Sequence, residues 1–141
     1  MMEVKIAIST AEIYEDVYAV TAHTGKAMEN IDRVSLSEDE MLIIEPFMKE
    51  SASELSDVIS SYGTLEFGTD SIDVSLSLPS NWKEEAKPTL TQCMKNYISN
   101  SICQRWFGIT NKEDVKYYAD KVAVNSNNII KLLCERIRPK R

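Results

Sequence analysis

The stretch Gly63–Leu78, GTLEFGTDSIDVSLSL, changes the pattern of the chain from a helical period to strict alternation. Apolar and polar residues alternate in Leu65–Phe67 and again in Ile72–Leu78, which predicts two strands with one buried and one solvated face each. The link Gly68–Ser71 carries turn-forming residues, so we expect a β-hairpin over about residues 63–79. Because two strands alone are marginal in water, the hairpin must lie on helices, pair with an N-terminal strand or pair with another subunit.

The residues at the N-terminus predict a strand and a first helix. Val4, Ile6 and Ile8 are separated by single residues, as in a short strand with one buried face. Ser9–Glu12 has the spacing of a capping box, in which each side chain satisfies a backbone N–H at the start of a helix. Gly25 is the expected end of this helix, because glycine adopts the left-handed conformation at low cost.

A second, longer helix is predicted to run from a capping box at Ser37–Glu40 to about Tyr62, where Gly63 stops it. Its apolar residues recur at steps of three and four and form one stripe: Met41, Ile44, Met48, Ala52, Leu55, Ile59 and Tyr62. Pro46 lies inside this stripe and lacks a backbone donor, so we expect a kink or a break at residues 42–45.

Two helices are also predicted after the hairpin. Ser80 or Asn81 is the expected cap of the first, with Pro88 in the first turn of its main part. Gly108 is the expected end of that helix. The last helix is predicted to have Val115, Tyr118, Val122, Ile129, Leu132 and Leu133 on its inward face.

The last helix is expected to open at a third capping box, Thr110–Glu113. The polar run Asn125–Asn128 is expected to weaken its middle, and a basic tail, residues 136–141, follows its last turn. Together these elements predict a mainly helical α+β fold, with a four-helix body, a central hairpin and a short N-terminal strand. We expect one domain over residues 1–141.

The composition argues against several classes of protein. With 43% apolar and 27% charged residues among 141, the chain can bury a core, which excludes wholesale disorder. No run of about 18 apolar residues exists, so no transmembrane helix is expected. No membrane role is expected either, because no predicted helix combines a basic face with a wholly exposed apolar one. The N-terminus has no basic start leading into an apolar run, so no secretory signal is expected.

The residues that commonly carry chemistry are few. The four glycines stand apart, which argues against a phosphate-binding loop. One histidine, His23, and three scattered cysteines argue against a metal site, and no cofactor site is predicted. Cys93, Cys103 and Cys134 occur at core spacing and are interpreted as reduced, buried thiols. We expect that the protein is not an enzyme.

The charge is divided unequally along the chain. Residues 1–80 hold 16 acids and 4 bases, whereas residues 81–141 hold 6 acids and 12 bases. One interpretation is a folded monomer whose halves neutralise each other. The other is a head-to-tail contact between copies, which closes into a ring or extends into a filament. The basic side chains Lys112, Lys116 and Lys121 and the tail could also contact nucleic acid, but a solvated or protein-facing role is favoured because the chain is acidic overall.

Part of the sequence also resembles known proteins, which bears on the function. The order of elements over residues 37–141 and the segment Tyr97–Lys112, YISNSICQRWFGITNK, are similar to small proteins encoded beside capsid and tail genes in prophages of gut bacteria. More loosely, the chain resembles the head–tail connector (neck or adaptor) family of tailed phages, small helical proteins with a central β-excursion that form a ring under the portal. The N-terminal strand and Pro46 depart from the connector pattern.

The resemblance implies a structural protein of the virion, made in the cytoplasm of the bacterial host, that acts by self-assembly and by docking to portal, neck or tail proteins. DNA in the channel is a further, sequence-independent partner. The residues expected to contact partners are Ile72, Val74 and Leu76 in the hairpin and Arg136, Arg138, Lys140 and Arg141 in the tail. The alternative functions are a small cytosolic adaptor or regulator that binds one protein partner and, after it, a DNA-associated protein.

Overall fold

A computed structural model describes residues 2–27, 41–68, 70–110, 113 and 115–134. Along the chain these residues form strand β1 (Met2–Ser9), helix α1 (Thr10–Ala27), helix α2 (Met41–Val58) and strands β2 (Gly63–Phe67) and β3 (Ser71–Leu78). A 3-10 turn (Glu84–Ala86) and helices α3 (Lys87–Thr110) and α4 (Val115–Leu133) follow. The order and the mainly helical α+β class are as predicted from the sequence.

The predicted hairpin forms, and its third strand comes from the N-terminus of the same chain. The sheet has the order β1-β3-β2, and both pairings are antiparallel. In the register, Val74 lies opposite Ile6 on one side and Leu65 on the other. Of the arrangements left open by the sequence, the hairpin therefore pairs with the N-terminal strand, and β1 and β2 form the two edges.

The apolar face of the sheet is buried, which corrects one expectation. Ile72, Val74 and Leu76 are only 0–1% exposed. Because β3 is the central strand, β1 and β2 flank it and its apolar side chains pack into the core beneath the sheet. These three side chains are therefore not available to a partner chain in this fold. The tail residues Arg136, Arg138, Lys140 and Arg141 lie outside the described residues.

Helices α1 and α2 agree with the predicted patterns and differ at their ends. The Ser9 hydroxyl accepts a hydrogen bond from the Glu12 backbone N–H at 3.5 Å, as the first capping box predicts. Helix α1 continues two residues past Gly25. Helix α2 is not broken at Pro46, and it ends at Val58, four residues earlier than expected, in a turn that leads into β2. The second and third capping boxes lie wholly or partly outside the described residues.

The segment before α3 differs from the prediction. Ser80 and Asn81 lie in a turn and do not cap a helix, because α3 begins only at Lys87, with Pro88 in its first turn as expected. Trp82 is fully buried, and its indole N–H donates to the Leu132 carbonyl at 3.0 Å. This hydrogen bond ties the entry of α3 to the end of α4.

Helix α3 is the centre of the helical body. It packs against α1, α2 and α4, and it continues past Gly108 to Thr110. Ile98, Ile102 and Trp106 are buried in the core, and the ring of Phe107 stacks on Tyr118 of α4 with centroids 5.2 Å apart. Helix α4 runs unbroken through its polar middle, which the sequence had marked as weak. Because α3 packs against three other helices, only one stripe of its residues faces away from them. The candidate site lies on this stripe.

Candidate functional site

The charged residues of the two halves meet within the chain. On α3, the Lys95 ammonium lies 3.5 Å from the Glu12 carboxylate and 3.4 Å from the Asp16 carboxylate of α1. Further along α3, the Arg105 guanidinium pairs with Glu50, at 3.0 Å, and with Glu54 of α2. Each of these pairs joins a base of the second half to an acid of the first half. The structure therefore favours the folded-monomer interpretation of the charge division at these positions.

Arg105 also closes a buried polar contact between α2 and α3. Ser51 and Ser101 are fully buried, and the Ser51 hydroxyl donates to Ser101 at 2.9 Å. The Arg105 guanidinium donates to both hydroxyls and to the Ser101 carbonyl. A serine nucleophile needs an adjacent base, and the group beside these hydroxyls is a permanent cation. The cluster is therefore a structural clamp between the two helices.

A trough runs along the outward stripe of α3, between α1 and α4. It consists of two cavities of about 380 and 360 Å³ that share Asn96 and Asn100. We call this surface the α3 trough. Its floor is formed by α3, with Asp16 and Ala19 on the α1 side, and its residues on the α4 side are Tyr117, Asp120, Lys121, Val124 and Asn125.

Side-chain amides dominate the floor of the α3 trough. The Gln92 amide donates to the Asn96 oxygen at 2.9 Å, and the Asn100 amide donates to the Asn125 oxygen of α4 at 2.9 Å. An amide side chain can donate two hydrogen bonds and accept two, so each of these groups keeps unused capacity. The pairs hold the amides in place and leave donors and acceptors for a ligand.

Ser99 and Cys103 line the deep part of the α3 trough. Ser99 is 8% exposed, and its buried hydroxyl has no hydrogen-bond partner among the residues that the structure describes. Burial raises the pKa of the Cys103 thiol to about 12; the weaker effects of Lys121, which lowers this pKa, and Asp16, which raises it, come from opposite walls. The thiol is therefore neutral at physiological pH and is not an activated nucleophile.

The α4 wall of the trough combines two exposed hydrophobic side chains with the charged residues Asp120 and Lys121. Tyr117 is 56% exposed and Val124 is 57% exposed. Between them the Lys121 ammonium lies 4.5 Å from the centroid of the Tyr117 ring and 5.7 Å from that of Tyr118, in cation–π geometry. Lys121 forms no ion pair with the described residues, whereas Lys95 on the opposite side is paired twice.

The α3 trough was not predicted from the sequence. The cues were present: Gln92, Asn96 and Asn100 recur every four residues, and the run Asn125–Asn128 was interpreted only as a weakness of its helix. Only the packing of α1 and α4 on α3 brings these residues to one surface. Of the cysteines, Cys103 is buried as expected, Cys93 is half-buried, and Cys134 is exposed, with its sulfur 3.3 Å from the Tyr62 hydroxyl.

Within the described part of the chain, no group of three His, Cys, Asp or Glu side chains could hold a metal ion. The described helices also include none that is both long and apolar enough to span a membrane. Comparison with protein-family models, with curated proteins and with solved structures gives no match. The function is therefore argued from the residues and their geometry.

Proposed function

We propose that this chain is an assembly protein, which acts by docking to other protein chains, and that it is a ring subunit of the head–tail connector, or neck, of a tailed phage or prophage. The observation that carries the docking part is the α3 trough, an open surface of amides and exposed apolar side chains on a rigid helical platform. Exposed aromatic side chains beside polar groups are typical of protein interfaces. The connector part depends on the order of elements and on the segment Tyr97–Lys112.

This segment contributes to the platform of the trough. Asn100 belongs to its floor, while Ile98 and Ile102 face the core and Arg105 clamps α2. A scaffold subunit needs such a platform because its surfaces must keep their shape when several chains assemble. In the proposed ring, the helical bodies pack side by side, and the outer edges of β1 and β2 are open to strand addition by neighbours. The basic tail reaches an acidic portal or tail protein, or DNA in the channel.

The native mass of the purified full chain, at low and at high salt, tests the ring. A subunit that assembles through opposite charges forms a discrete, large oligomer at low salt, and the oligomer dissociates as salt screens the contact. A particle of 16 kDa at both salt concentrations would overturn the ring proposal. An oligomer that grows without limit as concentration rises would also contradict a closed ring.

A second candidate function is a cytosolic adaptor that binds one protein partner as a monomer. The pairing of Lys95 and Arg105 with acids of their own chain favours it, because these two bases are already neutralised without a second copy. The same measurement separates the two functions: the adaptor is monomeric or dimeric at every salt concentration, whereas the connector is a ring.

A further inference from the structure

We infer that copies of this chain join edge to edge, with β1 of one copy parallel to β2 of the next copy and the Lys5 ammonium beside the Glu66 carboxylate. The inference rests on the proposed ring and specifies the contact between its subunits. Three features support it: the direction of the backbone groups at the two edges, the match between the sheet faces, and the opposite charges that the edges carry.

The free backbone groups of β1 belong to its odd-numbered residues. The Thr10 N–H donates to the Asp70 carbonyl at 3.2 Å, and these two residues continue the register in which β1 pairs with β3. Because inward-bonding and outward-bonding residues alternate along an antiparallel edge, the N–H and C=O groups of Glu3, Lys5 and Ala7 point away from β3. An open cavity of about 330 Å³ lies along the first half of β1, which leaves room beside the strand.

The other edge of the sheet presents the backbone groups of β2. The Ser77 N–H donates to the Tyr62 carbonyl at 2.7 Å, and this bond continues the register in which β2 pairs with β3. By the same alternation, the N–H and C=O groups of Gly63, Leu65 and Phe67 point away from β3. Each copy therefore has two edges with a row of backbone donors and acceptors, which a further strand can complete.

The faces of the sheet decide the direction of the contact. On β1 the exposed side chains belong to outward-bonding residues such as Lys5, whereas on β2 they belong to inward-bonding residues such as Glu66. In an antiparallel contact, outward-bonding residues lie directly opposite each other, which would set the exposed Lys5 against Leu65 on the apolar face. In a parallel contact, an outward-bonding residue lies beside an inward-bonding one and bonds the two residues that flank it. Between these two edges, only the parallel contact keeps each face of the sheet continuous.

A parallel contact between β2 and β1 joins the copies head to tail. Both strands are antiparallel to β3, so they run in the same direction and lie on opposite edges of the sheet. Each contact therefore uses a different edge of the two copies, and every copy keeps one edge for the next. Such a contact closes into a ring when the rotation between copies allows it. Pairing β1 with β1, or β2 with β2, would instead stop at two copies.

The charges of the two edges are complementary and set the register. Glu66 of β2 lies directly opposite Asp73 of β3, and like charges in this position destabilise a sheet. Neither of these carboxylates forms an ion pair with the described residues, and neither does Lys5 at the other edge. The register that puts Lys5 beside Glu66 of the next copy gives both side chains a partner. It also puts Glu3 beside the uncharged Thr64, so no like charges lie directly opposite each other across the contact.

The same register continues the apolar face. It places Val4 beside Leu65 of the next copy and Ile6 beside Phe67 of the next copy. Leu65 and Phe67 are half-buried at a free edge, and the neighbouring strand covers more of them. Val4 and Ile6 are already buried within their own chain, so the contact depends mainly on backbone hydrogen bonds and on the Lys5–Glu66 pair.

Exchange of the two charges tests the contact. Sedimentation of the full chain over a range of concentrations measures the association of wild type, Lys5→Glu, Glu66→Lys and the variant with both substitutions. Each single substitution places like charges side by side and is expected to weaken association by about three- to ten-fold per contact. The double variant restores opposite charges and is expected to associate within about two-fold of wild type. Lys83→Glu and Glu85→Lys are matched controls, because they reverse exposed charges outside the sheet and are expected to associate as wild type does.

Three results would overturn the inference. They are a wild-type chain that is a 16 kDa monomer at every concentration, single variants that associate like the controls, and a double variant as weak as the single ones. A dimer that Lys5→Glu weakens and Glu66→Lys leaves unchanged would show that β1 pairs with β1, which also overturns the parallel contact.

Hydrogen exchange at single-residue resolution tests whether the contact is a strand pair. The backbone N–H groups of Lys5 and Leu65 point outward, so they are expected to exchange slowly in the assembly and fast in the dilute monomer. The N–H of Ile6 bonds β3 and is expected to exchange slowly in both. Fast exchange of the outward groups in the assembly would mean that the copies do not pair through these strands.

The outcomes separate this inference from the proposed connector. A ring that assembles equally well in all the variants, and whose outward N–H groups exchange fast, would leave the connector standing and reject the strand contact. Strand pairing that depends on Lys5 and Glu66 but extends into an open filament would support the contact and reject the closed ring.

Discussion

Gly63, the first residue of β2, lies closer to β3 than any side chain permits. A Cβ atom at this position would lie 2.0 Å from the Ser75 carbonyl oxygen and 2.8 Å from the Leu76 Cα. Both contacts are to backbone, so the strands would have to separate. The described residues include no glycine with a positive φ, and space rather than backbone conformation therefore explains Gly63.

We expect Gly63→Ala to lower the free energy of unfolding by about 3 kcal/mol, as overpacking against a rigid neighbour does. Gly108→Ala is the matched control, because nothing lies within 4 Å of the added Cβ and the site is helical. This control should stabilise the protein by about 0.5–1 kcal/mol. Urea unfolding of both variants measures the effects, and equal stabilities would contradict the close approach of the strands.

Cys103 gives the stability of the protein a dependence on alkaline pH. Burial raises the pKa of this thiol from 9.0 to about 12, so the native state keeps a proton that the unfolded chain releases above pH 9. The resulting stabilisation is complete below pH 9 and is lost as the pH rises from 9 to 12. The thiol should account for a loss of about 1 kcal/mol between pH 8.5 and 10.

Cys103→Ala should remove that part of the loss, whatever its effect on stability at neutral pH. The measurement is the difference in unfolding free energy between pH 8.5 and 10 for wild type and variant. Cys93, whose pKa burial also raises, remains in both proteins and serves as the internal reference. Parallel pH profiles would show that Cys103 is not buried as described.

At the scale of helices, the Arg105 clamp holds α2 on α3. Arg105 reaches two carboxylates of α2 and the buried hydroxyls of Ser51 and Ser101. Removing the guanidinium leaves both hydroxyls with fewer partners in the core and leaves Glu54 without its cation. Loss of a partner in a buried network costs more than loss of an exposed ion pair.

Arg105→Met keeps much of the apolar stem, and we expect it to lower the free energy of unfolding by about 2–3 kcal/mol. Lys49→Met is the control, because Lys49 forms an exposed pair with Glu45 on one face of α2, at 3.6 Å. Such a pair contributes about 0.5 kcal/mol or less. Similar losses in both variants, measured by urea unfolding, would mean that the clamp is only a surface contact.

At the scale of the whole molecule, ion pairs within the chain neutralise some of the opposite charges of its two halves. The tail, residues 136–141, is a further concentration of bases along the sequence. Removing residues 136–141 takes away Arg136, Arg138, Lys140 and Arg141. We expect the truncated chain to unfold at the same urea concentration and to elute from heparin, a polyanion that stands in for an acidic partner or DNA, at lower salt. Unchanged elution would reject the tail as a docking element.

The elements of this fold could be predicted from the sequence because each depends on neighbours along the chain. Alternation over Ile72–Leu78 is a local property, and so is the helical stripe from Ile44 to Ile59. The ends of helices were less predictable: α3 passes Gly108, because packing against α4 stabilises residues that a local stop signal disfavours. The sequence also could not show that Ile72, Val74 and Leu76 belong to the core of their own chain.

By itself, then, the sequence determined the order of strands and helices and the mainly helical α+β class. Tertiary structure alone decided that β1 pairs with β3, that Arg105 reaches Glu54, and that the amides of α3 meet Tyr117 and Lys121 in one trough. The physical reason is the range of the forces that act. Periodicity reflects contacts within a few residues, whereas these contacts join positions far apart in sequence, which only the packing of the complete core brings together.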